Sequence, residues 1–248
     1  MSPLNDAEKT RYDRQILLPG WGEDGQEKLK NSTVFISGAG GLGSPVSLYL
    51  AAAGVGRIRI CDDGDLELSN LNRQILHSDA GIGKKKVLSA QERLKAVNPS
   101  VEVVPLQARI EAANVAELVG DAAILLDCLD NYATRHVLNE HSVKTGVPLV
   151  LGAVHGLCGQ LSFLHPPETP CLRCVFPHIP AQKVFPVIGA TPGVVGALQA
   201  MEALKFLTGI GEPLAGRLLI FEGETMEFRQ VLVKKDPACP VCGKPTRP

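Results

Sequence analysis

The sequence predicts an α/β fold: a doubly wound, mostly parallel sheet with antiparallel strands added on the C-terminal side. Three observations carry this expectation. Residues 38–43 read GAGGLG, a G-x-G-x-x-G turn set between a short apolar run and a stretch rich in Leu and Ala. Short apolar runs then alternate with longer mixed stretches, the pattern of parallel strands joined by helices. From Gly156 the texture changes, and residues 160–165 (QLSFLH) alternate like an antiparallel strand.

Taken in order, residues 5–18 read as a helix with Asn5 or Asp6 as its N-cap. The PGWG run at 19–22 breaks it, and 23–30 form a short polar helix. Residues 34–37 are a strand, 44–53 a helix with Gly54 past its end, and 57–61 a strand ending on Asp62 and Asp63. Residues 65–74 show no period and should be a loop carrying functional polar groups. Residues 81–97 are a helix with Leu88 and Leu94 on its inner face, stopped by the NPS run at 98–100. A strand at 101–105 and a helix at 113–119 follow. Residues 122–127 (AAILLD) are a continuous apolar run, which suits a buried central strand. Residues 132–145 form a helix and 148–153 a strand. Residues 166–193 are rich in Pro, 194–208 form a helix, and 217–221 with 227–233 make a hairpin. We expect one domain over 1–248: a helical arm (1–30), a nucleotide-binding core (34–155) and a C-terminal part (156–248).

Composition agrees. The chain has 248 residues, 45% hydrophobic and 21% charged, enough apolar material for one large core. Its net charge of −1 gives no field that would draw it to nucleic acid or an anionic membrane. No stretch reaches the about 18 apolar residues of a membrane span, and the polar N-terminus lacks a signal-peptide core, so a cytoplasmic protein is expected. The cysteines include two Cys-x-x-Cys pairs, Cys171/Cys174 and Cys239/Cys242. In a reducing compartment these suit a closed tetrahedral thiolate Zn²⁺ site better than disulfides; redox thiols are the alternative. Cys61, Cys128 and Cys158 read as buried small hydrophobes. The six histidines show no metal-ligand spacing and read as structural or surface residues.

In open α/β sheets ligands sit at the carboxyl ends of strands, and those ends here carry the glycine turn, Asp62 and Asp130. Glycines 38, 40, 41 and 43 let the backbone turn tightly and approach a phosphate, and Asp62 stands where an acid bonds a ribose hydroxyl. Arg73 offers a fork of donors for phosphate oxygens, with Asn70 and Gln74 beside it. Lys86 is either a phosphate-binding cation or part of a solvated run with Lys84 and Lys85. Asp130 could hold Mg²⁺ or cap the following helix, a role for which Asn131 also serves. There is no Gly-Lys-Ser/Thr P-loop.

Together these residues resemble the ThiF/MoeB/HesA family, the bacterial relatives of ubiquitin-activating enzymes, over nearly the whole chain. The resemblance rests on RYDRQ at 11–15, the turn at 38–43, Asp62, SNLNRQ at 69–74, Lys86, DCLDN at 127–131, residues 196–202 and both cysteine pairs. It implies a Rossmann-like fold and ATP-dependent adenylation of a ubiquitin-like sulfur-carrier protein at its C-terminal Gly-Gly carboxylate. By position, Asp62 would bind the ribose, Gly41 would approach the phosphates, and Asn70, Arg73 and Lys86 would hold the triphosphate. Ser69 and Gln74 belong to the same nucleotide-binding loop. Asp130 would ligate Mg²⁺ with Asn131 beside the nucleotide, and Cys171, Cys174, Cys239 and Cys242 would bind zinc. The family works as homodimers, so Arg14 would reach into the partner subunit's site. The carrier's product could be molybdenum cofactor, thiamine or another sulfur compound.

Two positions depart from the family pattern. Gly64 stands where members often carry a second acid, and residues 175–238 contain no cysteine. The resemblance therefore implies adenylation alone, with sulfur supplied by another protein and the Pro-rich loop at 177–192 crossing the carrier's tail. Other readings are an NAD(P)-dependent oxidoreductase, activation of a small molecule or tRNA base, and a non-catalytic scaffold subunit.

Overall fold

The structure is a computed structural model that describes residues 2–178 and 186–243. One eight-stranded sheet runs through the molecule in the order β3-β2-β1-β4-β5-β6-β7-β8. Strands β1 (Thr33–Ser37), β2 (Arg57–Cys61), β3 (Glu102–Leu106), β4 (Ile124–Asp127) and β5 (Leu149–His155) are parallel. Strands β6 (Cys158–Leu164), β7 (Arg217–Glu222) and β8 (Glu227–Leu232) continue it in antiparallel fashion. The doubly wound sheet with an antiparallel C-terminal extension is the fold class the sequence predicts.

Successive residues of β1 point to opposite faces, so its two core faces are built at once. Val34 and Ile36 pack in one cluster with Leu50, Ile58, Leu126 and Ala203; Phe35 packs in the other with Leu125, Leu138 and Leu149. The first cluster lies under α4 (Gly43–Ala53) and α9 (Ala190–Thr208), the second under α6 (Val115–Val119) and α7 (Tyr132–Thr145). Both faces of β1 are thus covered, as a parallel sheet requires. No described helix is long and apolar enough to cross a membrane.

Where boundaries differ from expectation, a local cause is visible. The N-terminal helix is two pieces, α1 (Asp6–Arg11) and α2 (Asp13–Ile16). Asn5 caps the first in a reciprocal pair with Glu8. Tyr12 breaks the run because its ring is buried beside Gly54 and its hydroxyl accepts a 2.8 Å hydrogen bond from Asn98 Nδ2. The polar helix is α3 (Gly22–Lys30). The helix expected from residue 81 starts only at Lys86 (α5, Lys86–Val97), because Gly83 and Lys84 bond instead to Leu66. Its inward face is Val87, Ala90 and Leu94, spaced i, i+3, i+7; Leu88 lies off that stripe and is exposed, contrary to expectation.

Helix α9 begins four residues earlier than the sequence suggests. Pro192 sits in its first turn, where the missing N–H costs no helix bond. Gln199 fixes this helix to the sheet, its Nε2 donating to Asp127 O at 2.8 Å and Val150 O at 3.1 Å. A short helix, α8 (Leu172–Val175), lies inside the first cysteine pair and has no signal in the sequence period.

Candidate functional site

Ser37 pairs in register with Cys61 on one side and Asp127 on the other. The chain therefore leaves β1, β2 and β4 at one level, as Gly38, Asp62 and Cys128. Gly38 has φ +98°, and a β-carbon on it would lie 2.9 Å from Cys128 O. A β-carbon on Gly43 would lie 1.9 Å from Gly38 O, so only glycine closes the turn onto α4. Gly40 and Gly41 face side chains instead: Gln74 at 3.7 Å, and Pro192 at 3.4 Å with Arg73 at 3.5 Å, measured to the β-carbon each would carry.

Asp62 spans this turn. Its Oδ2 accepts the Ala39 N–H and its Oδ1 the Gly64 N–H, both at 2.8 Å. A β-carbon on Gly64 would lie 3.1 Å from Asp62 Oδ1 and 3.5 Å from Lys86 Nζ. The glycine at that position thus leaves room for the Lys86 ammonium to stand beside Asp62. Lys84 is paired with Glu92 at 3.2 Å and Lys85 with Asp65 at 2.7 Å, while Lys86 forms no ion pair with any described residue. The basic run therefore divides into two ion-paired lysines and one half-buried cation left unpaired at the turn.

The 69–77 loop meets the turn residue by residue. Asn70 is buried, and its Oδ1 accepts the Glu67 N–H at 3.1 Å. Ser69 is exposed and donates to Glu67 Oε2 at 3.2 Å. Arg73 is half-buried, with Nη1 donating to Ser69 O at 2.9 Å and Asn72 Oδ1 at 3.0 Å. It faces no carboxylate and leaves guanidinium donors for an anion. Gln74 is buried with its Oε1 unpartnered. His77, read from the sequence only as structural or surface, bonds Ala39 O through Nε2 and Ser89 Oγ through Nδ1, each at 2.9 Å. Burial holds its pKa below the usual imidazole value. The end of the Pro-rich segment lies over the same loop: a β-carbon on Gly189 would come 2.3 Å from Asn72 O. Residues 179–185 of the expected crossing loop lie outside the described residues.

At the end of β4, Asp127 is fully buried and its Oδ2 lies 3.5 Å from Arg135 Nη1. Burial pushes the Asp127 carboxyl up against the opposing pull of that guanidinium. Arg135 also donates through Nη2 to Gly152 O at 2.8 Å and to Leu129 O, fixing the peptide just ahead of Asp130. Arg135 carries little signal in the sequence beyond being a cation one helical turn past Asn131, at the start of the helix following a buried acid. Asp130 is exposed at the mouth of the turn. Asn131, not Asp130, is the α7 N-cap, its Oδ1 accepting the Thr134 N–H at 2.9 Å.

Two other groups of predicted residues lie apart from this cluster. Arg14, on α2, is 92% exposed, and its nearest acid is its neighbour Asp13 at 3.9 Å. The sulfurs of Cys171, Cys174, Cys239 and Cys242 all lie within 4.8 Å of one another, with Cys171–Cys239 at 3.7 Å and Cys174–Cys242 at 3.4 Å. Four sulfurs at about 2.3 Å from a tetrahedral ion stand about 3.8 Å apart, so this cluster can hold a metal ion. Cys61 and Cys128 are buried as expected. Cys158 is not: it is exposed at the start of β6, donating to Glu222 Oε2 at 2.9 Å, and that carboxylate pushes the thiol up.

A glycine turn opening between an acid and cations without carboxylate partners, at the carboxyl ends of a parallel sheet, defines the class of nucleotide-binding α/β proteins. Within that class the chain belongs to the ThiF family, whose profile matches residues 12–241. It is 44% identical to the sulfur carrier protein adenylyltransferase of Thermus thermophilus, over 97% of this chain and 93% of that protein. It is 42% identical to the molybdopterin-synthase adenylyltransferase of Escherichia coli, over 98% of this chain and 100% of that protein. With the sulfur carrier protein ThiS adenylyltransferase of E. coli it shares 43% identity, over 97% of each. Among solved structures, E. coli MccB with ATP matches with a TM-score of 0.84 and 25% identity, covering 96% of this chain and 75% of that one.

The Asp127–Arg135 pair yields a test of the site's foundation. Arg135→Met should cost about 3–5 kcal/mol in urea denaturation, because it leaves a buried carboxylate without its counter-charge. Adding Asp127→Asn should recover part of that loss.

Proposed function

We infer that this protein is an adenylyltransferase that uses ATP to activate the C-terminal glycine carboxylate of a ubiquitin-like sulfur-carrier protein. The observation that carries this reading is Lys86: it stands at the turn near Asp62 without forming an ion pair with any described residue, while the two lysines before it are paired with Glu92 and Asp65. A dinucleotide with its charge at a bridging pyrophosphate does not call for a free ammonium and Arg73 together at this end of the turn. The near full-length relatives that are adenylyltransferases support the same reaction.

In this reading Asp62 accepts from the ribose with lone pairs that its two backbone amides leave over. Gly38, Gly40, Gly41 and Gly43 bring backbone to the phosphates. Ser69, Asn70, Arg73, Gln74 and Lys86 surround the triphosphate and neutralise its β- and γ-phosphates. The carrier carboxylate attacks the α-phosphorus, the bond to the bridging oxygen breaks, and pyrophosphate leaves. No enzyme nucleophile is needed, so catalysis is positioning and charge neutralisation. Mg²⁺ held at Asp130, with Asn131 beside it, would supply further neutralisation of the departing pyrophosphate. The product is an acyl-adenylate, activated for sulfur transfer from another protein. Residues 175–238 offer no thiol to take the acyl group, and Cys158 donates to Glu222, which pushes its thiol up.

We place Arg14 in the partner subunit's site of a homodimer; its exposure, with only a long contact to its neighbour Asp13 at 3.9 Å, leaves the guanidinium available for this. We assign Zn²⁺ to the four cysteines as a closed structural site that staples the tail to α8, and treat the whole chain as one adenylation domain. Four reduced thiolates suit the cytoplasm.

ATP–pyrophosphate exchange that requires a Gly-Gly-terminated carrier tests the reaction. Wild type should exchange, and Asp130→Ala should fall by about a hundredfold or more with its unfolding midpoint unchanged. No exchange by wild type, with NAD bound instead, would overturn the reading. Mixed Arg14→Ala and Asp130→Ala protomers should regain exchange that neither homodimer shows; a verified heterodimer that stays inactive refutes action in trans. Metal analysis should find one zinc per chain, and Cys239→Ser should lower both zinc content and melting temperature.

A further inference from the structure

We propose that His77 is a positioning residue for adenylation: it sets the rotation of α5, and with it the aim of Lys86, against the glycine turn. Two hydrogen bonds place it. A carbonyl oxygen can only accept, so the contact with Ala39 O makes Nε2 the protonated nitrogen. Burial favours the neutral ring, in which Nδ1 accepts a hydrogen bond from the Ser89 hydroxyl. The imidazole thus bridges the middle of the glycine turn and the first turn of α5.

The two ends of this bridge are the two halves of the phosphate site. Ala39 is the residue whose N–H bonds Asp62, so its peptide is gripped on one side by the ribose acid and on the other by His77. Ser89 lies three residues after Lys86, on the same face of α5. The apolar contacts of Val87, Ala90 and Leu94 hold the helix against the core but have little directional preference. The polar ties of α5 to its surroundings include the Lys86 N–H to Gly64 O at 3.1 Å and the Ser89 hydroxyl to His77 at its N-terminal end, and Gln91 Nε2 to Val103 O at 2.9 Å further along. Hydrogen bonds are directional, so the Ser89–His77 bond orients the first turn of the helix against the glycine turn, while the Gln91 bond holds its middle to β3. A roll of α5 would swing the Lys86 ammonium away from Asp62 and Gly64. The Lys86 charge is felt at His77, where it adds to burial in keeping the ring neutral, against the opposite pull of Asp62.

This inference rests on the adenylation reading, and one titration separates the two. The full-length protein is titrated calorimetrically with a non-hydrolysable ATP analogue and Mg²⁺, in wild type, His77→Leu, Lys86→Met and the double variant. His77→Leu should weaken binding about tenfold in wild type but less than about twofold on Lys86→Met, because the two residues act as a unit. An equal loss in both backgrounds would show His77 acting independently of Lys86 and overturn the proposal. If His77→Leu does not fold, Ser89 decides: Ser89→Ala should lose about threefold and Ser89→Thr, which keeps the hydroxyl, should bind like wild type. Wild-type affinity in Ser89→Ala overturns the proposal. Failure of wild type itself to bind the analogue overturns the nucleotide reading beneath it.

Discussion

The bond from the Ala39 amide to Asp62 is the constraint on which the site depends. It joins the ends of two neighbouring parallel strands across the one turn that must stay open to a ligand. Together with the Gly38 N–H to Cys61 O at 2.7 Å and His77 to Ala39 O, it restrains a glycine-rich run whose ordering would otherwise cost conformational entropy. The second oxygen of Asp62 binds the Gly64 amide, and the Gly64 carbonyl in turn receives the Lys86 amide. One carboxylate thus orders the turn, the following loop and the start of α5.

Charge is distributed around that anchor in a consistent way. Several charges around it are paired off: Lys84 with Glu92, Lys85 with Asp65, and Asp127 with Arg135. Lys86 and Arg73 form no ion pair with any described residue, and Asp130 stands exposed three residues past the end of β4. The buried pair has a different task from the surface ones. Arg135 gathers the carbonyls of Leu129 and Gly152 at the ends of β4 and β5, so the peptide before Asp130 is held by the core rather than by the loop. Gln199 does the same from the other face, through Asp127 O and Val150 O. Two layers of helix therefore fix the strand end from which the acid projects.

The C-terminal third closes the site from above. Pro192 and Gly189, around the start of α9, pack against Gly41 and the 72–73 backbone. Thr191 Oγ1 donates to Gly156 O at 3.0 Å, tying the same segment to the β5–β6 turn. The four-cysteine cluster holds the other end of this region, where Asp236 N–H donates to Cys174 Sγ at 3.5 Å. A carrier's extended tail entering beside the Pro-rich segment would thus meet a frame anchored at both ends.

Much of this was legible in the chain itself. The order of strands and helices, the glycine turn, the acid after β2 and the cysteine pairs follow from period, spacing and side-chain chemistry, because each is a local property. The start of α5, the break at Tyr12 and the exposure of Leu88 and Cys158 were not, since each is decided by a partner distant in sequence: Leu66, Asn98, the face the core selects, and Glu222. The sequence could name Lys86 only as one of three lysines in a row. Which of them stays unpaired at the turn was decided by the pairing of the other two and by Gly64, through contacts that exist only once β2 and α5 are side by side. His77 and Arg135 carry no motif at all. Their roles come from the directionality of hydrogen bonds and the cost of burying a charge, and both act only between residues that the fold has brought together.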